Sequence, residues 1–293
     1  MERLATGSGL VHVNGFHLYY EAYGKSQKGT FLVLHGGPGI SHDYLHPLAD
    51  LAQFGYRVVL YDQLGCGRSQ RPKAEGAYDF RRAIDEVEGV RQALKLGRIH
   101  LLGHSYGTQL GTAYALEYPR SLKSLILAGP VLWVPGGERA WAKMMRELPP
   151  KAKAFWNRKD AKVEDLLDPH WQEGLREWEQ KHVLRWKVKP LDVLRSDESL
   201  NPVVHKGIMT SYRNYVHSFK PRTLAQVLRR IRVPCLITVG RYDMATPAAA
   251  RGVKRCIPRS TVKVFENCAH DVHWEERAAY VDTVRRFLEG VEK

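Results

Sequence analysis

A chain of 293 residues can bury a substantial core, and 44% hydrophobic with 26% charged residues is ordinary for a globular protein. No apolar run reaches the roughly 18 residues that a membrane helix needs, and Met1-Glu2-Arg3-Leu4 does not open a secretory signal, so a cytoplasmic protein without membrane partners is expected. The net charge of +14 raises the question of nucleic acid, but residues 131–232 hold most of the surplus, 21 Lys or Arg against 12 Asp or Glu. Acids and bases there are interleaved, as in Lys159-Asp160-Ala161-Lys162-Val163-Glu164-Asp165, which describes a solvated helical surface and no polyanion site.

In chain order, Leu10–Val13 and Phe16–Tyr20 flank Asn14-Gly15, a dipeptide suited to the positive φ angles of a two-residue hairpin turn. Short apolar runs follow at Phe31–Leu34, Arg57–Tyr61, Ile99–Leu102 and Ser124–Ala128, separated by helix-like stretches. Such runs, alternating with helices, predict an α/β protein with a mostly parallel sheet buried on both faces. The alternation stops near Pro130 and resumes at Pro234, with strands predicted at Cys235–Val239 and Thr261–Phe265 and a last helix from Glu275 to Leu288 bearing Ala278, Val281, Val284, Phe287 and Leu288 on its apolar face. The interval has no convincing strand and carries six tryptophans, Trp133, Trp141, Trp156, Trp171, Trp178 and Trp186. We read residues 1–130 and 233–293 as one core and 131–232 as a helical cap folded over the carboxyl edge of the sheet, its aromatics walling an apolar pocket.

The cysteines Cys66, Cys235, Cys256 and Cys268 form no C-x-x-C pair and lack zinc-ligand spacing, so packed, reduced thiols are expected and neither a metal nor an organic cofactor.

Gly103-His104-Ser105-Tyr106-Gly107 fits G-x-S-x-G, and its position between a predicted strand and a predicted helix gives it meaning. A sharp strand–turn–helix lifts a serine hydroxyl above the sheet, and small glycines prevent collision of the flanking backbone. This is the nucleophile elbow of an α/β-hydrolase fold. On that fold the acid and the histidine follow in chain order, which selects Asp243 after the Cys235–Val239 strand and His270 after the Thr261–Phe265 strand. Asp271 adjoins His270 in sequence and is poorly placed to orient its ring, and His273 lies closer to the final helix. The developing oxyanion needs donors, for which the glycine-rich His35-Gly36-Gly37-Pro38-Gly39 offers the N–H of Gly37 and the elbow that of Tyr106, with Gly36 close to the substrate.

Together with Asp62-Gln63-Leu64-Gly65-Cys66-Gly67-Arg68-Ser69 and Gly240-Arg241-Tyr242-Asp243, these motifs make the chain resemble the proline iminopeptidases, serine aminopeptidases that release an N-terminal proline or other residue. The resemblance is strong to residue 130 and again from 234, and poor through the cap. It implies a triad of Ser105, Asp243 and His270, a substrate pocket formed by the cap, a short peptide, amide or ester as substrate, and no cofactor. One departure stands out. The family carries an Asn-Glu-Phe stretch in the cap and often a Glu after the triad Asp, acids that hold the substrate's ammonium; here the matching positions read Arg213-Asn214-Tyr215 and Met244. Asn214, Tyr215 and Met244 are thus expected at the substrate, with a weaker demand for a free amine than in the family. An amidase, lactamase, lactonase or esterase acting on small acyl compounds is the alternative.

Overall fold

The computed structural model describes residues 5–132, 134, 142, 146–148, 169–220 and 222–292. Strands β1 (Gly7–Val13) and β2 (Phe16–Tyr23) pair antiparallel, with Val13 opposite Phe16 across a turn in which Asn14 and Gly15 both have positive φ. The remaining strands are β3 (Gly29–Leu34), β4 (Tyr56–Tyr61), β5 (Ile99–His104), β6 (Leu122–Ala128), β7 (Cys235–Gly240) and β8 (Ser260–Phe265). They complete one eight-stranded sheet in the order β1-β2-β4-β3-β5-β6-β7-β8, and every pairing from β4 to β8 is parallel. All six parallel strands therefore end at one edge.

The continuous apolar runs are explained by burial on both faces. Leu32, Leu34, Val59, Tyr61 and Leu101 point into one core layer, packed by α1 (Phe80–Ala93), α2 (Tyr106–Glu117) and α7 (Pro247–Cys256). Their alternates Phe31, Val33, Val58, Leu60 and Leu102 point into the other, against the 3₁₀ segment Asp43–Phe54 and α9 (Arg277–Val291). This is the period of two that a pleated strand imposes. The last helix differs from expectation in one detail: Ala278 is exposed, because the buried stripe runs through Tyr280, Val284 and Leu288 at intervals of four, beside Val281. The short α8 (Val272–Glu275) precedes it. All four cysteines are buried and free.

Between β6 and β7 the described residues form α3 (Pro169–His182), α4 (Leu191–Glu198), α5 (Pro202–His217) and α6 (Leu224–Leu228). Helix α4 lies on the Asp43–Phe54 segment, where the Ser196 hydroxyl accepts the N–H of Tyr44 at 3.0 Å. Helix α5 lies on α1 through Tyr212 and Tyr215 against Phe80. Trp133, Trp141 and Trp156, and the side chain of Trp171, are outside the described residues. Among the described residues no helix is long and apolar enough to cross a membrane.

Glycine is required where α2 meets the sheet. A Cβ on Gly107 would lie 2.3 Å from the carbonyl oxygen of Leu34, whereas one on Gly111, one turn later, would meet nothing closer than 3.5 Å. Gly107→Ala is expected to destabilise the protein by about 1–3 kcal/mol, the range for overpacking a well-filled interior. Gly111→Ala in mid-helix is expected to be neutral or to stabilise by about 0.5–1 kcal/mol. Urea melts of the two variants check the contrast, and equal destabilisation would contradict the packing described.

Candidate active site

Ser105 stands between β5 and α2 with φ 55° and ψ −122°, a left-handed conformation that a non-glycine residue keeps only when its surroundings enforce it. The enforcement is visible. A Cβ on Gly103 would lie 2.1 Å from the Gly107 carbonyl, so the two glycines touch beneath the serine. The Ser105 N–H is tied to the Ala128 carbonyl at 2.9 Å, and its own carbonyl accepts the N–H and hydroxyl of Thr108 at 2.9 and 2.6 Å.

His270 and Asp243 arrive from the ends of β8 and β7. The Nδ1–H of His270 donates to Asp243 Oδ1 at 2.7 Å, and the same oxygen accepts the N–H of Ala245 at 2.6 Å. Asp243 is fully buried, and His270 leaves its Nε2 without a hydrogen-bond partner. Burial alone would depress the proton affinity of His270; the Asp243 carboxylate, its hydrogen bond and the nearby Asp271 outweigh it and raise the imidazole above its ordinary range. Asp271 is itself buried beside these groups, and burial pushes its carboxyl up to about 7. It does not touch Nδ1 of His270; its backbone N–H instead donates to the Val183 carbonyl, just past α3, 2.9 Å away.

Three further residues, which the sequence reading did not single out, shape this corner. Gly129 has φ 57°, and a Cβ there would lie 2.5 Å from Cε1 of His270, so its absence makes room for the ring. His104 is held neutral by burial; its Nε2–H donates to the His270 carbonyl at 3.2 Å, which leaves Nδ1 to accept the Tyr44 hydroxyl at 2.8 Å. Tyr44 Oη in turn accepts the N–H of Gly36 at 2.8 Å. His273, set aside from sequence, has its basicity lowered to about 3 by burial and donates to the Tyr44 carbonyl at 3.1 Å. The chain Gly36–Tyr44–His104–His270 thus links the glycine-rich loop after β3 to the histidine loop after β8. The only sequence signal for it was the position of His104 inside the elbow motif.

Ser105, His104, His270, Asp271, Gly37, Tyr44 and Met244 border one cavity of about 210 Å³, small beside the roughly 300–1,000 Å³ of typical ligand pockets. Gly37, with φ 103°, lies on its wall, and Tyr106 opens α2, so its N–H belongs to the first turn, where helical donors have no intrahelical carbonyl. Gly36 is adjacent, since a Cβ there would lie 2.9 Å from Cβ of Ser105. Two expected residues are not brought to the cavity. Asn214 is exposed, and Tyr215 packs on Phe80 and Phe219 with its hydroxyl 3.5 Å from Glu117, because that turn of α5 faces α1 and α2.

Among the described residues, those of 131–232 that wall the cavity are Val183, Leu184 and Val193 with the charged Glu179, Lys189 and Asp197, and none is aromatic; Trp133, Trp141, Trp156 and the side chain of Trp171 lie outside the described residues. Among the described residues Trp178 packs against Leu148, Leu175, Val183 and Met244, and Trp186 is 42% exposed and edges onto Trp274. Lys189 Nζ bridges Glu179 Oε2 at 3.2 Å and Asp197 Oδ2 at 2.7 Å. Burial raises the Glu179 carboxyl, and the two acids hold the Lys189 ammonium above its usual range in spite of burial.

Residues 29–277 match the family model of the alpha/beta hydrolase fold. The chain is 36% identical to the proline iminopeptidase of Saccharolobus solfataricus over 97% of this chain and 92% of that one. Its fold is similar to the crystal structure of VinJ, with a TM-score of 0.85 and 26% identity over 98% of this chain and all of the other. The crystal structure of the proline iminopeptidase of Mycobacterium smegmatis is similar with a TM-score of 0.77 and 26% identity, over 98% and 99% of the two chains.

The hydrogen bond to His270 yields a test of which acid orients the ring. Asp243→Asn, which favours the wrong imidazole tautomer, is expected to lower kcat by about 10⁴-fold. Asp271→Asn is expected to change it only a few-fold at the optimum. A base must be neutral to act, so kcat/KM should fall with decreasing pH through a limb above 6.5, the ordinary histidine value. Removing the negative charge in Asp271→Asn should move that limb to lower pH. A limb unmoved by Asp271→Asn, or a larger loss from it than from Asp243→Asn, would contradict the geometry.

Proposed function

The chain belongs to the proline iminopeptidase family of the α/β hydrolases and is a hydrolase, and from that premise we propose that it releases a small N-terminal residue, proline foremost, from short peptides or amides. The observation that carries this reading is the free Nε2 of His270, whose other nitrogen is tied to Asp243, at a cavity shared with Ser105. In the proposed sequence Nε2 takes the proton of the Ser105 hydroxyl as Oγ attacks the scissile carbonyl. The N–H groups of Gly37 and Tyr106 receive the oxyanion, a contribution typically worth about 2.7–4 kcal/mol per donor. The imidazolium, stabilised by Asp243, protonates the leaving amine, and water then releases the acyl group by the reverse proton route. We propose residues 131–232 as the lid that closes this cavity.

The charged wall bears on the substrate's amine. Residues Asn214 and Tyr215 are remote, yet among the described residues Glu179, Asp197 and Asp271 face the cavity with Lys189 as the one lysine or arginine there. We therefore assign Glu179 and Asp197 as partners for the substrate's ammonium, with Lys189 giving way to it, and this favours a free N-terminus over the relaxed demand expected from sequence. Losing one partner of a buried charge pair costs about 2–5 kcal/mol, or roughly 30-fold to a few thousand-fold. The measurement is kcat/KM for a prolyl-arylamide against its N-acetyl derivative, in the wild type and in Glu179→Gln. A preference for the free amine above about a hundredfold, reduced at least tenfold by Glu179→Gln, is expected. A preference below tenfold would return the reading to an esterase or amidase without an amine clamp.

A further inference from the structure

Asp271 follows His270 in sequence, yet neither the proposed proton route nor the packing of the fold uses its carboxyl. The residue borders the cavity and is only 4% exposed. Its backbone is fixed on both sides: the N–H donates to the Val183 carbonyl at 2.9 Å, and its own carbonyl accepts the N–H groups of Trp274 and Glu275 at 2.9 and 3.1 Å. It stands at the head of α8, where an aspartate side chain ordinarily accepts a hydrogen bond from the first turn, and here it makes none. His104 Nε2 stands 3.7 Å from Oδ1, with its N–H given to the His270 carbonyl. Among the described residues, then, this carboxyl has no hydrogen-bond partner.

A buried polar group without a partner is costly to keep, and its retention at a cavity points to a ligand that completes it. Burial, reinforced by Asp197, Glu275 and Asp243 against the opposing pull of His270, is what lifts the Asp271 carboxyl to about 7. The other two acids of the cavity are already served, since Glu179 and Asp197 share the ammonium of Lys189 at 3.2 and 2.7 Å. Asp271 is the carboxyl there that still lacks a cation.

Covalent geometry says which cation belongs beside it. In an aminoacyl group the α-nitrogen lies about 2.5 Å from the carbonyl carbon, and that carbon must come within about 3–3.5 Å of the attacking oxygen, so the α-ammonium sits within about 6 Å of Ser105 Oγ. Its partner must therefore stand on the loops that surround Ser105. Asp271 meets this condition: it adjoins His270, and it faces His104, which immediately precedes Ser105 and whose ring centroid is 4.5 Å from that of His270. We propose that Asp271 accepts an N–H of the substrate's α-ammonium and so selects α-aminoacyl substrates over plain acyl ones. The inference rests on the aminopeptidase reading above and adds to its clamp the carboxyl nearest the scissile bond. A prolyl ammonium has two N–H donors, which leaves the second for the side of Glu179 and Asp197.

The test measures kcat and KM for a prolyl-arylamide and for the cyclopentanecarbonyl-arylamide, in which a methylene replaces the ammonium and the ring size is kept. In Asp271→Asn, KM for the prolyl substrate is expected to rise about thirtyfold or more, the low end for losing one partner of a buried charge pair, with kcat changed only a few-fold. The loss in kcat/KM for the cyclopentanecarbonyl substrate should be smaller by at least about tenfold. Thermal melting of the variant verifies that it folds. A wild type that prefers the prolyl substrate, with that preference undiminished in Asp271→Asn, overturns the proposal and leaves the aminopeptidase reading standing. Equal losses on both substrates overturn it as well and assign Asp271 to holding the His270 loop. A wild type without any preference for the prolyl substrate removes the aminopeptidase reading and this inference with it.

Discussion

The site depends on the contact between Gly103 and Gly107 beneath Ser105. With a hydrogen in place of Cβ on both, β5 can turn into α2 without a connecting loop, and the serine between them is forced into its left-handed conformation. That conformation holds the side chain above the sheet edge, out of the packed interior. The same edge receives the ends of β3, β7 and β8, because the strands are parallel and their crossovers return each one in the same direction. Residues far apart in sequence, Gly37, Ser105 and His270, thereby border one small cavity without any long-range feature of the sequence specifying it directly.

Much of this was legible in the chain because it rests on local chemistry. The Asn14-Gly15 turn, the doubly buried strands and the strand–turn–helix about Ser105 each follow from residues within a dozen positions, and the order of acid and histidine follows from where strands end. Residues 131–232 were not legible in the same way. Their lack of strand patterning suggested helices without placing any of them or fixing which face meets the core. Asn214 and Tyr215 were expected at the substrate because they align with the family's Asn-Glu-Phe stretch, whereas on α5 Asn214 is exposed and Tyr215 packs toward α1 and α2. Glu179 and Asp197 were not sought at all, since nothing local distinguishes them from the many interleaved charges of that segment. Tyr44 was invisible for the opposite reason: its role is a pair of hydrogen bonds to Gly36 and His104, made across the fold.

The electrostatics of the cavity follow from burial more than from formal charge. The protein carries a net charge of +14, yet among the described residues three carboxyl groups and one ammonium face the cavity. Lys189 between Glu179 and Asp197 satisfies both acids in the absence of substrate, as buried charges require. In the proposed binding mode a substrate ammonium entering there would exchange one cation for another and would not desolvate a new charge against an empty site. On the other side, His104 and His273 remain neutral through burial, and of these three imidazoles only His270, paired with Asp243, has its proton affinity raised.

If the elbow, the imidazole with its free Nε2 and the buried Asp243 activate Ser105 as proposed, that hydroxyl is the reactive one at this edge. Labelling with a fluorophosphonate, followed by proteolysis and mass spectrometry, measures this without knowledge of the natural substrate. One adduct per chain is expected, on the peptide containing Ser105, formed much more slowly in His270→Ala and not at all in Ser105→Ala. An adduct on another residue, or a wild type that reacts no faster than His270→Ala, would contradict it.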